Sequence, residues 1–196
     1  MKMATKMRLP PEEFMTAQLR LRRPNPEDAE AVFGRWASDP ATCRYLTWSP
    51  HTDVGESRAH LAGCEARWRD GTEFVWMIEK HEGAELVGSL AARPGVHGVN
   101  LGYLIAPAYW GEGFMVEALG PVVRWWLEQP DIYRVWATCD LENQASARVL
   151  EKAGFEFEGV LRRWEHHPNA GAGPRDARCY SRVRYGVLTT ATKGLR

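Results

Sequence analysis

The 196-residue chain predicts an α/β fold with a mixed, mostly antiparallel central sheet and helices on both faces. Three observations carry that expectation. Seven short stretches read as strands and four longer ones as helices, in the order β-α-α-β-β-β-α-β-α-β-β. The strands cluster in the middle, with helices before, between and after them, so the sheet has a layer to bury on each side. Hydrophobic residues make up 44% and charged residues 26%, which suits one soluble domain with a sizeable core.

"AQLRLRR" (17–23) alternates apolar and polar residues as a half-buried strand does. "NPEDAEAVFGRWASDP" (25–40) then opens a helix, with Pro26 suited to its first position and acids in the first turn. Asp53 and Glu56 have capping-box spacing and start a second helix. Its apolar face would use Ala59, Leu61, Ala62, Ala66 and Trp68. "EFVWMIEK" (73–80), the turn "HEGA" and "ELVGSLAA" (85–92) read as a hairpin. "VNLGYLIA" (99–106) is a third strand, ended by Pro107. A helix follows the glycines at 111 and 113 and runs to about Gln129. Pro121 inside it lacks an N–H and crowds the Glu117 carbonyl, so a kink or early end is expected there. "YRVWATCD" (133–140) is a strand, "NQASARVLEKAG" (143–154) a helix stopped by Gly154, and "FEFEGVLRRW" (155–164) a strand. "ARCYSRVRYGVL" (177–188) is the last. No repeat or boundary interrupts the chain, which reads as a single domain over 1–196 with its core at about 17–188 and loose ends at 1–15 and 189–196.

Twenty-five basic residues cancel twenty-five acidic ones, so charge gives no ground for a nucleic-acid partner. Residues 161–196 carry eight Lys and Arg against Glu165 and Asp176, an excess that suits a solvated basic face or an acidic ligand. No stretch approaches the roughly 18 apolar residues of a membrane helix, and the first residues lack a signal-peptide apolar run. Cys43, Cys64, Cys139 and Cys179 are widely spaced and read as free thiols, so a cytoplasmic location is expected. His166-His167 beside Pro168 lacks companion ligands, and no metal site is expected.

"PAYWGEGFMVEAL" (107–119) carries the first functional signal. A strand ends, two glycines follow, and a helix begins with main-chain N–H groups that have no internal partner and a dipole that favours anions. Glycine lets a main chain come close to phosphate oxygens. The spacing is neither a dinucleotide G-x-G-x-x-G nor a P-loop. A plain strand-to-helix turn and an anion cradle both remain open on spacing alone.

About thirty residues on, a second strand runs into a helix at "CDLENQASARVLEKAGF". Together the two strand-helix units resemble the GCN5-related N-acetyltransferase (GNAT) superfamily, and more narrowly its RimJ/RimL branch. The matching stretches are "LRLRRPNPEDAEAVF", "LGYLIAPAYWGEGFMVEAL", "NQASARVLEKAGFEFEGVLR" and "RDARCYS", over about residues 17–186. The resemblance implies a central sheet that splays open and acetyl-CoA as acyl donor. It implies transfer of the acetyl group to a primary amine by direct attack in a ternary complex. The acceptor would be a protein N-terminal α-amine or a small-molecule amine, and a homodimer is compatible with the family. By resemblance, Leu104 and Ile105 would offer strand main-chain groups to the pantetheine amides. Trp110, Gly111, Glu112, Gly113, Phe114 and Met115 would form the pyrophosphate turn, and Asn143 would bond the pantetheine arm. Two positions depart from the superfamily pattern: Trp110 replaces Gln or Arg, and Met115 replaces Gly or Ala.

The reaction assigns further roles. An amine attacks only when neutral, and an α-amine titrates at about 7.7–8.0 against about 10.4 for lysine, so an N-terminal acceptor needs only a modest base. The tetrahedral oxyanion needs a donor, for which the Ile105 N–H is the candidate, and the leaving thiolate benefits from a proton. Many relatives put a tyrosine seven residues after the helix asparagine; Leu150 stands there and cannot donate. Ser146, also a cofactor-contact candidate, becomes the donor candidate, against the alternative of a helix serine bonding back to a carbonyl. Relatives often have Glu where Asn100 stands, which leaves Glu142, Asp140, His97, Glu165 and His166 as base candidates. Tyr103, Trp164 and Asp176 are the acceptor-site candidates, with Trp48 beside them. Two other readings are an acyl-CoA-binding or sensing domain with weak catalysis, favoured by Leu150 and Asn100, and an acyltransferase for a longer acyl group.

Overall fold

The alternating stretches build eight strands, described here in a computed structural model of residues 8–184. They are β1 (Glu13–Met15), β2 (Leu19–Arg22), β3 (Phe74–Lys80), β4 (Leu86–Gly95), β5 (Gly98–Ile105), β6 (Arg134–Asp140), β7 (Glu156–His166) and β8 (Pro174–Val183). The helices are α1 (Ala29–Val32), α2 (Pro40–Cys43), α3 (Val54–Asp70), α4 (Phe114–Glu128) and α5 (Gln144–Lys152). One sheet runs β1-β2-β3-β4-β5-β6-β8-β7. Every neighbouring pair is antiparallel except β5 and β6, which are parallel and in register only at Val99↔Val135 and Asn100↔Trp136. Past those two pairs the strands part. At their joined end Gly98, with φ +93°, leaves no room for a side chain: a Cβ there would sit 2.2 Å from the Arg134 carbonyl oxygen.

Strand alternation divides the core between the two faces of the sheet. Phe74, Trp76 and Ile78 of β3 pack with Leu119, Val122 and Trp126 of α4 and with Leu150 of α5. Val75 and Met77 face the other way, against Val32, Trp36, Leu61 and Cys64 of the α1–α3 layer. The mixed sheet with helices on both faces is therefore as expected. Among the described residues, no helix is long and apolar enough to cross a membrane.

Several boundaries differ from expectation. Residues 13–15 are not loose: they form an edge strand, Glu13↔Arg22 to Met15↔Arg20. The helix expected over 25–40 starts as predicted, with Asn25 capping it and Pro26 in its first turn. It then passes through α1 into a π turn at Phe33–Ala37 and stops. Pro40 disfavours helical angles at Asp39, which is extended (φ −86°, ψ 116°) and caps α2 instead. α3 has the expected cap, Glu56 N–H to Asp53 Oδ1 at 3.2 Å. Its buried stripe, however, is Ser57, Leu61, Cys64 and Trp68, while Ala59, Ala62 and Ala66 are exposed. The large Leu61 and Trp68 set the rotation, since alanine has little surface to bury. Nor does α4 end at Pro121; it continues to Glu128. A proline inside a helix costs about 3 kcal/mol, and complete burial of Val122, Val123 and Trp126 just beyond it outweighs that. Residues 185–188 of the last expected strand, and the ends 1–7 and 189–196, lie outside the described residues.

Leu119 is fully buried at the centre of the α4–sheet contact. Leu119→Ala should destabilise the fold by about 2–5 kcal/mol, read as a lower urea midpoint at unchanged slope.

Candidate active site

Where β5 ends, Pro107 turns the chain into a short 3-10 turn at Pro107–Tyr109. The Trp110 indole N–H then reaches back to the Ile105 carbonyl oxygen at 2.7 Å. Gly111 and Gly113 both lie in the left-handed region, at φ +91° and +82°. A Cβ at either would meet nothing within 4 Å. Backbone angle, not crowding, is what requires glycine here. Gly113 is the N-cap of α4 and has no side chain to cap with. The N–H groups of Phe114, Met115 and Val116 thus have no partner within the helix. Glu112 is exposed beside them. Glu117, in the same first turn, points away, accepting from Thr16 Oγ1 at 2.6 Å and Gln18 N–H at 2.8 Å. Partial burial opposes its ionisation, but those hydrogen bonds outweigh it and hold the carboxyl below its usual range.

The parting of β5 from β6 exposes main chain. Ala106 donates its N–H to the Val87 carbonyl of β4 at 2.8 Å, so β5 residues of that parity, including Leu104 opposite Ser89, turn their amides toward β4. Ile105 turns its amide into the gap. Of the two strand residues expected to offer main-chain groups, Leu104 is committed to the β4 ladder and Ile105 faces the opening.

Across the gap, α5 begins. Asn143 is its cap, its Oδ1 accepting the Ser146 N–H at 3.0 Å. The Ser146 hydroxyl does not fold back on its helix; Ser146 Oγ lies 2.8 Å from the Tyr103 hydroxyl of β5. Burial pushes the Tyr103 phenol far above its usual range and the neighbouring Cys139 thiol up to about 11. Leu150 is fully buried in the core.

Val135, Ala137 and Cys139 of β6 point into the α4–α5 core, so Trp136, Thr138 and Asp140 point to the opposite face. There the Thr138 hydroxyl donates to Glu165 Oε2 at 3.1 Å. Asp140, 1% exposed, receives Arg175 Nε at 2.5 Å and the Glu142 N–H at 2.8 Å. Burial opposes its charge, but Arg175 prevails and holds the carboxyl below its usual range. Arg175 also pairs with Glu142 at 3.0 Å, and Arg44 lies 3.6 Å from Glu142. His167 is buried 4.0 Å from Asp140, with neither ring nitrogen hydrogen-bonded. A cavity of about 340 Å³ opens beside this row, walled by Trp136, Trp164, Leu161 and His97 with Arg134 and Glu158 at its edge. Trp164 borders that cavity. Asp176 does not: its Oδ1 accepts the Arg163 N–H at 2.8 Å, where β7 bulges. The Tyr103–Ser146 and Thr138–Glu165 contacts went unread in the sequence, because each joins elements whose pairing no local pattern announces.

Residues 18–156 match the family model described as "Acetyltransferase (GNAT) domain". The chain is 30% identical over 176 residues to the uncharacterized N-acetyltransferase YoaA of Bacillus subtilis, covering 86% of this chain and 95% of the relative. It is 29% identical over 126 residues to the [ribosomal protein uS5]-alanine N-acetyltransferase of Escherichia coli, covering 59% and 64%. Among solved structures, RimL, a ribosomal L7/L12 α-N-protein acetyltransferase in complex with coenzyme A, shares the fold. Its TM-score is 0.77 at 23% identity, over 88% of this chain and 98% of that one.

At the cavity edge, the Arg134 guanidinium and the Ser181 hydroxyl hold the Glu158 carboxyl down at about 2, from an ordinary 4.5. A depressed carboxyl stabilises the fold above the unfolded value and loses that contribution as pH falls toward the folded one. The stability gap between wild type and Glu158→Gln should therefore be full at neutral pH and close between pH 4.5 and about 2, as followed by urea unfolding at each pH.

Proposed function

The chain belongs to the GNAT acetyltransferase superfamily, in its RimJ/RimL-like branch, and from that premise we propose that it acetylates a protein N-terminal α-amine. Acetyl-CoA is the acyl donor. One observation carries the donor side: the left-handed glycine turn feeds the unpartnered N–H groups of α4 at the mouth of the β5–β6 gap. That turn suits a pyrophosphate, held by Gly111 to Met115 through their main chain. Asn143 retains its side-chain N–H₂ for the pantetheine arm, since only its oxygen is used in the cap.

The acceptor assignment rests on charge and on the named relatives. Asp140 and Glu142 are paired with Arg175, which leaves no bare acidic pocket there for a polyamine or a lysine. Glu165 differs: it is half-buried on the acceptor face, bonded only to the Thr138 hydroxyl among the described residues. We assign it as the base that takes a proton from the α-amine, directly or through water. The Ile105 N–H would bind the oxyanion, Ser146 would protonate the leaving sulfur, and the Trp136–Trp164 cavity would take the first side chain of the acceptor. The relatives support this reading because one is named for the alanine N-terminus of a ribosomal protein and another for L7/L12.

Purified protein with acetyl-CoA should release free thiol on adding peptides with a free N-terminal alanine or serine, and none when that amine is blocked. Release with polyamines alone would overturn the acceptor; coenzyme A binding without turnover on any amine would favour a sensing domain. Glu165→Gln should lower kcat by about 10²-fold, the usual scale for losing a general base. Gly113→Asp should raise the KM for acetyl-CoA more than tenfold, while Gly113→Asn leaves it within about threefold. Both residues tolerate left-handed angles, so the pair isolates the charge. Equal KM values for the two would refute the cradle.

A further inference from the structure

One contact in the gap has a chemistry that the roles above leave unused. The Tyr103 hydroxyl lies 2.8 Å from Ser146 Oγ and 3.3 Å from the Ser146 carbonyl oxygen. A hydroxyl has one hydrogen and two lone pairs. Either hydroxyl can donate in the shorter contact, and the Tyr103 hydrogen also reaches the Ser146 carbonyl oxygen; a phenol is the stronger acid of the two groups, which favours Tyr103 as donor and Ser146 Oγ as acceptor. Ser146 is thus fixed twice: its N–H by Asn143 Oδ1 at 3.0 Å, and its Oγ by a residue on a different element. A helix serine ordinarily spends its hydrogen on a carbonyl one turn back. With Tyr103 donating into its oxygen, Ser146 keeps its hydrogen for the gap side, where the Cys139 sulfur is its protein neighbour.

We propose that Tyr103 is a positioning residue for acyl transfer: by donating to Ser146 Oγ it aims the Ser146 hydrogen at the departing sulfur and stabilises the oxygen that gives it up. This inference rests on the reading of Ser146 as the thiolate donor. The amine nitrogen forms its bond to the acetyl carbon, the carbon–sulfur bond breaks, and the electron pair goes to sulfur. Ser146 gives its proton to sulfur to make the free thiol. Of the two protons that the acceptor ammonium loses, one returns through water to Ser146 Oγ and the other goes by way of Glu165 to solvent. Tyr103 keeps its own proton throughout. Burial suits it to that part, because it holds the phenol protonated well above the working pH. The aliphatic hydroxyl is a weak acid alone, and a part-buried donor at 2.8 Å strengthens it through a hydrogen-bond chain.

Steady-state kinetics on folded variants test this. Tyr103→Phe should lower kcat about tenfold or more with the KM for acetyl-CoA within about twofold, and Ser146→Ala should do likewise. The double variant should be no slower than Ser146→Ala, since the two groups act as one unit. An unchanged kcat in Tyr103→Phe, or losses that multiply in the double variant, would overturn the proposal. Should Tyr103→Phe fail to fold, a fluorinated tyrosine at 103, nearly isosteric and more acidic, replaces it. As the stronger hydrogen-bond donor to Ser146 Oγ it should raise kcat with the KM for acetyl-CoA within about twofold, and an unchanged kcat counts against the role. Wild type inert toward every amine overturns the site reading itself, whereas an active enzyme indifferent to Tyr103 overturns this inference alone.

Discussion

The divergence of β5 and β6 is the constraint on which the rest of the structure depends. Two parallel pairs, Val99↔Val135 and Asn100↔Trp136, hold the sheet together, and beyond them the ladder stops. Main-chain groups inside a protein must find partners, so a sheet that opens in its middle needs something else at its edges. On the β5 side, Trp110 supplies one partner through its indole N–H to the Ile105 carbonyl, and the Ile105 amide faces the gap. On the β6 side, Asp140 fixes the start of α5 by accepting the Glu142 N–H. A ligand with alternating amide donors and acceptors is the natural complement to what remains, which is the physical ground for the proposed acyl-pantetheine site.

The same opening separates two electrostatic environments. At one end, the first turn of α4 offers N–H groups and keeps its own acid, Glu117, turned toward Thr16 and Gln18. At the other face, the acids of the β6 end are nearly all paired, Asp140 with Arg175 and Glu142 with Arg175 and Arg44. The helix dipole thus favours an anion at the glycine turn, while the acids of the opposite face are paired and Glu165 is bonded to the Thr138 hydroxyl. The proposed transfer, from a highly charged donor to a singly charged amine, calls for that division.

Local chemistry was legible in the sequence wherever it was sufficient. The helix start at Pro26, the cap at Asp53, the stop at Gly154 and the strand-to-helix turn at 107–114 all follow from residue types at fixed offsets. Misreadings arose where packing overrode a local rule. Pro121 does not end α4 because the residues beyond it are buried, and α3 rotates its alanines outward because Leu61 and Trp68 decide its face. The edge strand at Glu13–Met15 exists only because β2 is there to pair with it. Contacts between distant elements, such as Tyr103 with Ser146 and Glu165 with Thr138, depend on strand order, and β8 lying between β6 and β7 is not a local property.

The two departures from the superfamily turn have a common geometric account. A cradle built from main-chain N–H groups constrains backbone angles at each step, and side chains only where they would point into it. The left-handed angles fall at Gly111 and Gly113, and both remain glycine. Met115 is helical and 4% exposed, with its side chain in the α4 core, so its bulk lies behind the turn. Trp110 precedes the first glycine and takes an extended conformation that any residue adopts, with its indole directed back to the end of β5. A Gln or Arg at that position can reach a ligand; a tryptophan bonded to Ile105 instead ties the turn to the strand. In this chain the turn is held by contacts within the protein, and, on the proposed reading, preorganisation of that kind lowers the ordering cost of binding a pyrophosphate.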